Sequence, residues 1–280
     1  MSSPMAIMTN SSALNATRNL TTTGRKMGTS IERLSSGLKI NSASDDAAGM
    51  AVSVGLTAQT KGFQQAMENS NEAIALLQTA EGSYNSISDI LIRMRELAVQ
   101  SSSDTLTNKE RAYLDTEFED LTAEITRISD VAEYNGIQLL DGTAGDGAGN
   151  MVFQVGTRNT ANDQITINLG NQDAATLGVD ALDLTNLANS QAAITTIDTA
   201  LDTLATDRAT LGSNINELTA AVDNLAVTIE NLSAANSQIK DADIAAESAD
   251  FTKHQVLMQS GVAMLSQANG VSQMALRLLG

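Results

Sequence analysis

Thirteen positions, spaced alternately four and three residues apart, form one continuous seam in the C-terminal half of the chain: Ile197, Leu201, Leu204, Arg208, Leu211, Ile215, Leu218, Val222, Leu225, Ile229, Leu232, Asn236 and Ile239. Eleven of the thirteen are aliphatic, and the stretch holds one glycine (Gly212) and no proline. Apolar residues every 3.5 positions over six heptads specify a helix that supercoils against other helices. At about 1.5 Å per residue, such a helix would be roughly 60 Å long. A stripe of that length cannot bury itself, so the rest of the chain must supply its partners. Arg208 and Asn236 interrupt the seam either as register-setting polar positions or as contacts to a neighbouring copy.

Composition supports this reading. The 280 residues include one proline, one histidine, no cysteine, no tryptophan and only 2% aromatics, while 42% are hydrophobic. Small aliphatic side chains without large rings suit close, repetitive helix packing more than a compact globular core. Absence of cysteine removes disulfides, cysteine metal sites and thiol chemistry. No apolar run approaches the ~20 residues of a membrane span, and the N-terminus lacks the pattern of a cleaved secretory signal. Residues 1–44 carry +4, residues 236–280 carry −1, and residues 45–235 therefore carry −20 of the net −17. An acidic body disfavours a nucleic-acid partner. The basic charges of the N-terminal arm are spaced singly, as on a solvated or interhelical face.

The pattern predicts a helix over 5–38 with the stripe Ala13, Thr17, Leu20, Gly24, Met27, Ile31, Leu34 and Leu38. Residues 39–56, rich in Asn, Ser, Asp and Gly, read as a break with short helical pieces. A second long helix over 58–101 carries Leu77, Ala80, Tyr84, Ile87, Leu91, Met94 and Ala98. Thr107 and Glu110 form a capping box, opening a third helix with the stripe Leu114, Phe118, Leu121, Ile125, Ile128 and Ala132. Asn135-Gly136 is expected to close it with a left-handed residue. Residues 137–180, punctuated by Gly142, Gly145, Gly147 and Gly149, read as hairpin and loop, with strands at Met151–Val155 and around Ile165, Ile167 and Leu169. The long helix follows from 188, and a last helix over 250–279 presents Met258, Val262 and Leu265. The fold expected is mainly α: a long, coiled-coil-like helical hairpin bundle with a small β-hairpin and loop region in mid-chain.

No phosphate loop, nucleophile elbow or metal-protease motif is present. Asp45-Asp46 reads as linker charge or helix cap rather than an acid/base pair. His254, without cysteine or a second histidine, reads as a satisfied interhelical residue. The Asn-x-Ser/Thr matches at Asn10, Asn15, Asn19 and Asn231 are chance in a composition this rich in those residues.

The run Ile31-Glu32-Arg33-Leu34-Ser35-Ser36-Gly37-Leu38-Lys39-Ile40-Asn41-Ser42-Ala43-Ser44-Asp45-Asp46-Ala47-Ala48-Gly49-Met50 resembles the N-terminal signature of bacterial flagellin. Arg93-Met94-Arg95-Glu96-Leu97-Ala98-Val99-Gln100 resembles the family's next block. Asn231-Leu232-Ser233, Ile239, Asp241, Gln255-Val256-Leu257 and Leu265-Ser266-Gln267-Ala268-Asn269 match its C-terminal counterpart. Residues 1–4 precede the family's usual Met-Ala start, here Met5-Ala6, and Ser272 stands where the family carries proline.

The resemblance implies a structural protein, not an enzyme, without cofactor or metal: a subunit polymerising into the extracellular flagellar filament that propels swimming. It implies a terminal coiled coil, D0 (1–44 with 240–280), a linker (45–57), a helical D1 (58–136 with 188–239) and a short variable region (137–187). Partners implied are further copies of the chain, the flagellar cap and hook-associated junction proteins, and the flagellar type III export apparatus with its chaperone, but neither nucleic acid nor membrane. Self-assembly residues expected are Leu20, Met27, Ile31, Leu34, Leu38, Met258, Val262 and Leu265. The resemblance further places a host Toll-like receptor contact at Arg93, Leu97, Gln100 and Glu117. Competing readings are the related hook–filament junction protein and a secreted coiled-coil effector or adhesin.

Overall fold

The computed structural model describes residues 10–279, with side chains to residue 270. Met5-Ala6 and the Ser272 side chain lie outside that description. Contacts divide the chain into two compact units, Met1–Ala58 with Asn231–Gly280, and Gln59–Glu230.

In the first unit, α1 (Ser11–Ser36) begins at Asn10, whose side-chain oxygen accepts the Ala13 amide, and ends at Gly37 in the left-handed conformation, φ 72°. α2 (Ala47–Ser101) follows. The expected break over 39–56 is therefore confined to residues 37–46, and Gly49 and Gly55 are helical. The reason is local. Asp46 Oδ1 accepts the amides of Ala48 (3.1 Å) and Gly49 (3.0 Å), capping the helix. A Cβ at residue 49 would stand 2.5 Å from Asp46 Oδ2 and 2.7 Å from Ile40 Cδ1. Glycine there makes room for the cap and for buried Ile40; it does not interrupt the helix.

The second unit holds most of α2 together with α3 (Asn108–Val131), β1 (Glu133–Tyr134), β2 (Ile137–Gln138), the short turn α4 (Ala144–Gly147), β3 (Asn150–Gln154), β4 (Gln164–Asn168) and most of α5 (Leu187–Lys240). Thr107 caps α3 with the expected reciprocal Glu110 bond. The α2 stripe from Leu77 to Ala98 is buried throughout, against Phe118 and Ile125 of α3. On α5 burial recurs every seventh residue, at Ile197, Leu204, Leu211, Leu218 and Leu225, while Leu201, Ile215, Val222 and Ile229 are half-buried. This is the heptad seam, with one of its two rows fully inside.

β3 and β4 pair antiparallel, Met151 opposite Ile167 and Phe153 opposite Ile165, as the alternation predicts. Asn135-Gly136 has a different role from the one expected. α3 stops at Val131, capped by extended Ala132. Asn135 (φ 51°) and Gly136 (φ 79°) instead form the two-residue loop joining β1 to β2, with Tyr134 opposite Ile137. Two successive positive φ angles are what a type I′ hairpin turn requires.

The α2, α3 and α5 ends share a buried polar knot. Arg111, 5% exposed, donates Nε to the Ser101 carbonyl (2.8 Å), Nη2 to the Ser103 carbonyl (2.8 Å) and Nη1 to Asn108 Oδ1 (3.0 Å). A guanidinium is thus set on the last carbonyl of α2, that of Ser101, and on the Ser103 carbonyl of the loop that follows. Residues 59–230 contain 26 acidic and eight basic side chains, a balance of −18, whereas the terminal unit carries seven acidic and eight basic, a balance of +1.

Candidate assembly and recognition surfaces

α1 and α6 (Ile244–Leu279) pack antiparallel in the terminal unit. Asn10 Nδ2 donates to the Ala268 carbonyl (3.0 Å) at one end, and Arg33 meets Glu247 (3.6 Å) at the other. Between them lies a reciprocal fit. Leu20 seats on Gly261, and the Met258 Cε methyl seats on Gly24. Each helix offers one bulky side chain and receives another over a glycine, so the backbones can approach closely.

Of the sequence-predicted assembly residues, Leu20, Met27, Leu34, Leu38, Met258 and Leu265 are half-buried within the single chain. Ile31 and Val262 are not in the packed face: they are 49% and 55% exposed. Their small neighbours occupy it instead, since Ser30 is buried and Gly261 contacts Leu20. Close helix approach selects small residues, which a search for apolar ones passes over. Ser30 and Gly261 were missed for that reason, whereas Gly24 lies on the predicted stripe; Asn10, read only as a chance Asn-x-Ser match, instead caps α1 and bonds to the Ala268 carbonyl. The half-burial of His254 fits an interhelical site, but it is not satisfied: its Nδ1 is buried with no partner among the described residues.

The two crossovers of this unit pair with each other. The Lys39 amide donates to the Lys240 carbonyl (2.7 Å) and the Ala242 amide to the Gly37 carbonyl (2.9 Å), bridging Leu38 and Asp241. Asp45 Oδ2 accepts the Ser42 amide (2.9 Å) and hydroxyl (3.1 Å), and these bonds, the backbone one foremost, hold its carboxyl below the usual range. Asp243 caps α6 by accepting the amides of Ala245 (2.9 Å) and Ala246 (3.1 Å). Asp45, Asp46 and Asp243 therefore serve the backbone. Asn236, where the seam breaks, accepts from Ser53 Oγ (2.7 Å) and donates to Thr57 Oγ1 (3.3 Å), fixing the register of α5 against the start of α2.

In the second unit Arg93 donates from Nη2 (2.8 Å) and Nε (3.0 Å) to Glu117 Oε1, and from Nη1 to Glu96 Oε2 (3.0 Å). These bonds, led by Glu117, raise the Arg93 pKa. Arg95 donates to Asp198 (2.6 Å), which lowers the Asp198 pKa. Gln100 is exposed, and Ile92, Arg95, Glu96, Val99 and Gln100 line a shallow depression of about 460 Å³. Leu97, expected at a receptor contact, is 0% exposed and belongs to the core. The apolar surface on this face comes from Ile92 and Val99, each 47% exposed. Among the described residues no group of three His, Cys, Asp or Glu side chains is placed to hold a metal ion.

Residues 7–145 match the family model described as bacterial flagellin N-terminal helical region, and residues 194–279 match bacterial flagellin C-terminal helical region. The chain belongs to the bacterial flagellin family. It is 41% identical to the flagellin of Halalkalibacterium halodurans, covering 98% of this chain and 100% of that one. It is 38% identical to the flagellar filament 33 kDa core protein of Treponema phagedenis, over 98% and 100%. The crystal structure of Bacillus cereus flagellin superposes with TM-score 0.50 at 32% identity, covering 56% of this chain and 88% of that one. A putative flagellar hook-associated protein from Vibrio parahaemolyticus shares the fold alone, with TM-score 0.58 at 16% identity over 70% and 100%. Flagellins are structural filament subunits, and this chain is one.

Proposed function

We propose that α1 and α6 are the element through which this flagellin joins its filament, ordering as they bind neighbouring copies. One observation carries this. Among the described residues the α1–α6 pair buries only Ser30 fully, while Leu14, Ile31, Val256, Leu257, Val262 and Met264 remain exposed. Large apolar side chains left exposed along one helical pair support an interaction face there. Ordering costs about 1–2 kcal/mol per residue, and a face left this open in the single chain offsets too little of it. Folding of the ends is then coupled to polymerisation. In this reading 1–44 with 240–280 form the D0 layer, 58–136 with 188–239 the D1 layer, residues 45–57 connect them, and 137–187 form the variable tip.

The subunit is exported through the flagellar type III apparatus with its chaperone, and it meets cap and junction proteins at the filament ends. Limited proteolysis tests the coupling. Monomer should lose both ends rapidly while filament resists, and ends equally resistant in both states would refute it.

A second reading concerns a host Toll-like receptor. The exposed Arg93–Glu117 pair beside Gln100, Ile92 and Val99 offers charge and apolar area on one face. Purified monomer should activate receptor-bearing reporter cells, and Arg93→Ala should weaken the response with helix content unchanged. Silence from monomer would remove this reading.

A further inference from the structure

The β1–β2 turn carries a chemistry that the assembly role does not use. Two Asn-Gly pairs occur in the chain, Asn135-Gly136 and Asn269-Gly270. In this dipeptide the glycine nitrogen, unhindered by a side chain, can attack the asparagine Cγ. Asn135 and Gly136 are both exposed, and a Cβ built on Gly136 would meet nothing within 4 Å. Among the described residues the Asn135 side chain makes no hydrogen bond that would hold its amide away from attack.

We propose that Asn135 is a site of spontaneous backbone-assisted deamidation. The Gly136 backbone nitrogen loses its proton to hydroxide and bonds to Asn135 Cγ. The Cγ–Nδ2 bond then breaks and ammonia leaves, giving a five-membered succinimide. Water adds to either ring carbonyl, yielding aspartate or isoaspartate at 135 with no oxidant or reductant consumed.

One feature of the fold admits this reaction. Closing the ring requires Asn135 to leave its left-handed conformation, so the turn must open briefly. At the exposed tip it is held by two residue pairs, Glu133 with Gln138 and Tyr134 with Ile137, beyond which the Leu139 amide meets the Ala132 carbonyl (2.8 Å) where the hairpin enters the core; the tip can fray at small cost while that base stays closed. Asn269-Gly270 is the contrasting case. It lies inside α6, where the backbone is held in the helical ladder, and it reacts only when that helix opens.

The two products differ in effect. Asp-Gly suits a type I′ turn as well as Asn-Gly does, so aspartate keeps the hairpin and adds one negative charge beside Glu133. Isoaspartate routes the main chain through the former side chain, lengthening a two-residue loop by one carbon and dissolving the Tyr134–Ile137 register.

The test uses full-length monomer held at mildly alkaline pH, native and in concentrated urea, with each asparagine followed by peptide mass spectrometry. Isoaspartate is scored separately with an isoaspartate-specific methyltransferase. Asn135 should convert first among the asparagines of residues 59–230. Its native rate should lie within about tenfold of its rate in urea, a difference in opening free energy of no more than about 1.4 kcal/mol. Greater protection at Asn135, or earlier conversion of another asparagine in that unit, overturns the proposal. Asn135→Asp separates charge from chain length: it should keep the wild-type melting curve, whereas the isoaspartate fraction should melt earlier.

Discussion

Gly24 and Gly261 occupy equivalent places in the α1–α6 pair, yet alanine should act in opposite directions at the two. In a helix interior alanine is favoured over glycine by about 0.8–1.0 kcal/mol. At residue 261 the new Cβ would lie 3.1 Å from both Cγ and Cδ2 of Leu20, against the 3.5–4.0 Å of a comfortable carbon contact. Cγ is the branch point of Leu20, so it retreats only through an unfavourable rotamer or by parting the helices. Overpacking of that kind costs about 1–3 kcal/mol, which outweighs the helix gain by up to about 2 kcal/mol. At residue 24 the single close atom is the Met258 Cε methyl at 3.3 Å. That methyl ends a flexible chain and can swing aside, so most of the helix gain survives. The readout is the critical concentration for assembly, where each 1.4 kcal/mol is about tenfold. Gly261→Ala should raise it by up to about thirtyfold and Gly24→Ala should lower it by about threefold or more. Leu20→Ala placed in the Gly261→Ala background should cost less than the same change in wild type. Two glycine variants shifting assembly in the same direction would refute the reciprocal fit.

Two further predictions concern the second unit. Arg111→Ala removes three donors from one buried knot and leaves the Ser101 carbonyl unpaired inside; bonds to a charged donor are worth about 1.5–3 kcal/mol each. Denaturant titration should show a loss of about 3 kcal/mol or more, and a loss below about 1 kcal/mol would mean that water replaces the guanidinium. The Tyr84 phenol is pushed up to about 12, first by burial and then by Asp207. The unfolded phenol ionises near 10, so the folded state keeps a proton that the unfolded state sheds. The Tyr84 contribution is intact below about pH 10 and should fall by about 2–3 kcal/mol as pH rises towards 12. Tyr84→Phe should flatten that alkaline decline in melting temperature, and an unchanged slope would contradict it.

Much of this architecture could be read from residue order because it is periodic or local. The heptads from Ile197 to Leu225 and the stripe from Leu77 to Ala98 mark buried faces directly, and the Thr107–Glu110 box closes within one helical turn. Misreadings arose where one signal serves two geometries. A left-handed Asn-Gly suits a helix end and a hairpin equally, and only the pairing of Tyr134 with Ile137 decides. Glycine at 49 reads as a breaker until Ile40 and Asp46 are seen filling the space its side chain would need. Ile31 and Val262 look like core by hydropathy, but the partner helix comes so near that Ser30 and Gly261 take the inner places. Similarly Leu97 sits within a surface-active block while its own side chain points inward.

The uneven division of charge, −18 on residues 59–230 against +1 on the terminal unit, has a consequence once copies multiply along a fibre. Repulsion among the acidic portions grows with every subunit added and weakens as dissolved ions shorten its range, to about 8 Å at physiological strength. The nearly neutral helical ends feel little of it. With assembly carried by the terminal helices, as proposed above, cohesion and antagonism fall to different stretches of one polypeptide, and the ionic content of the surroundings tunes mainly the second.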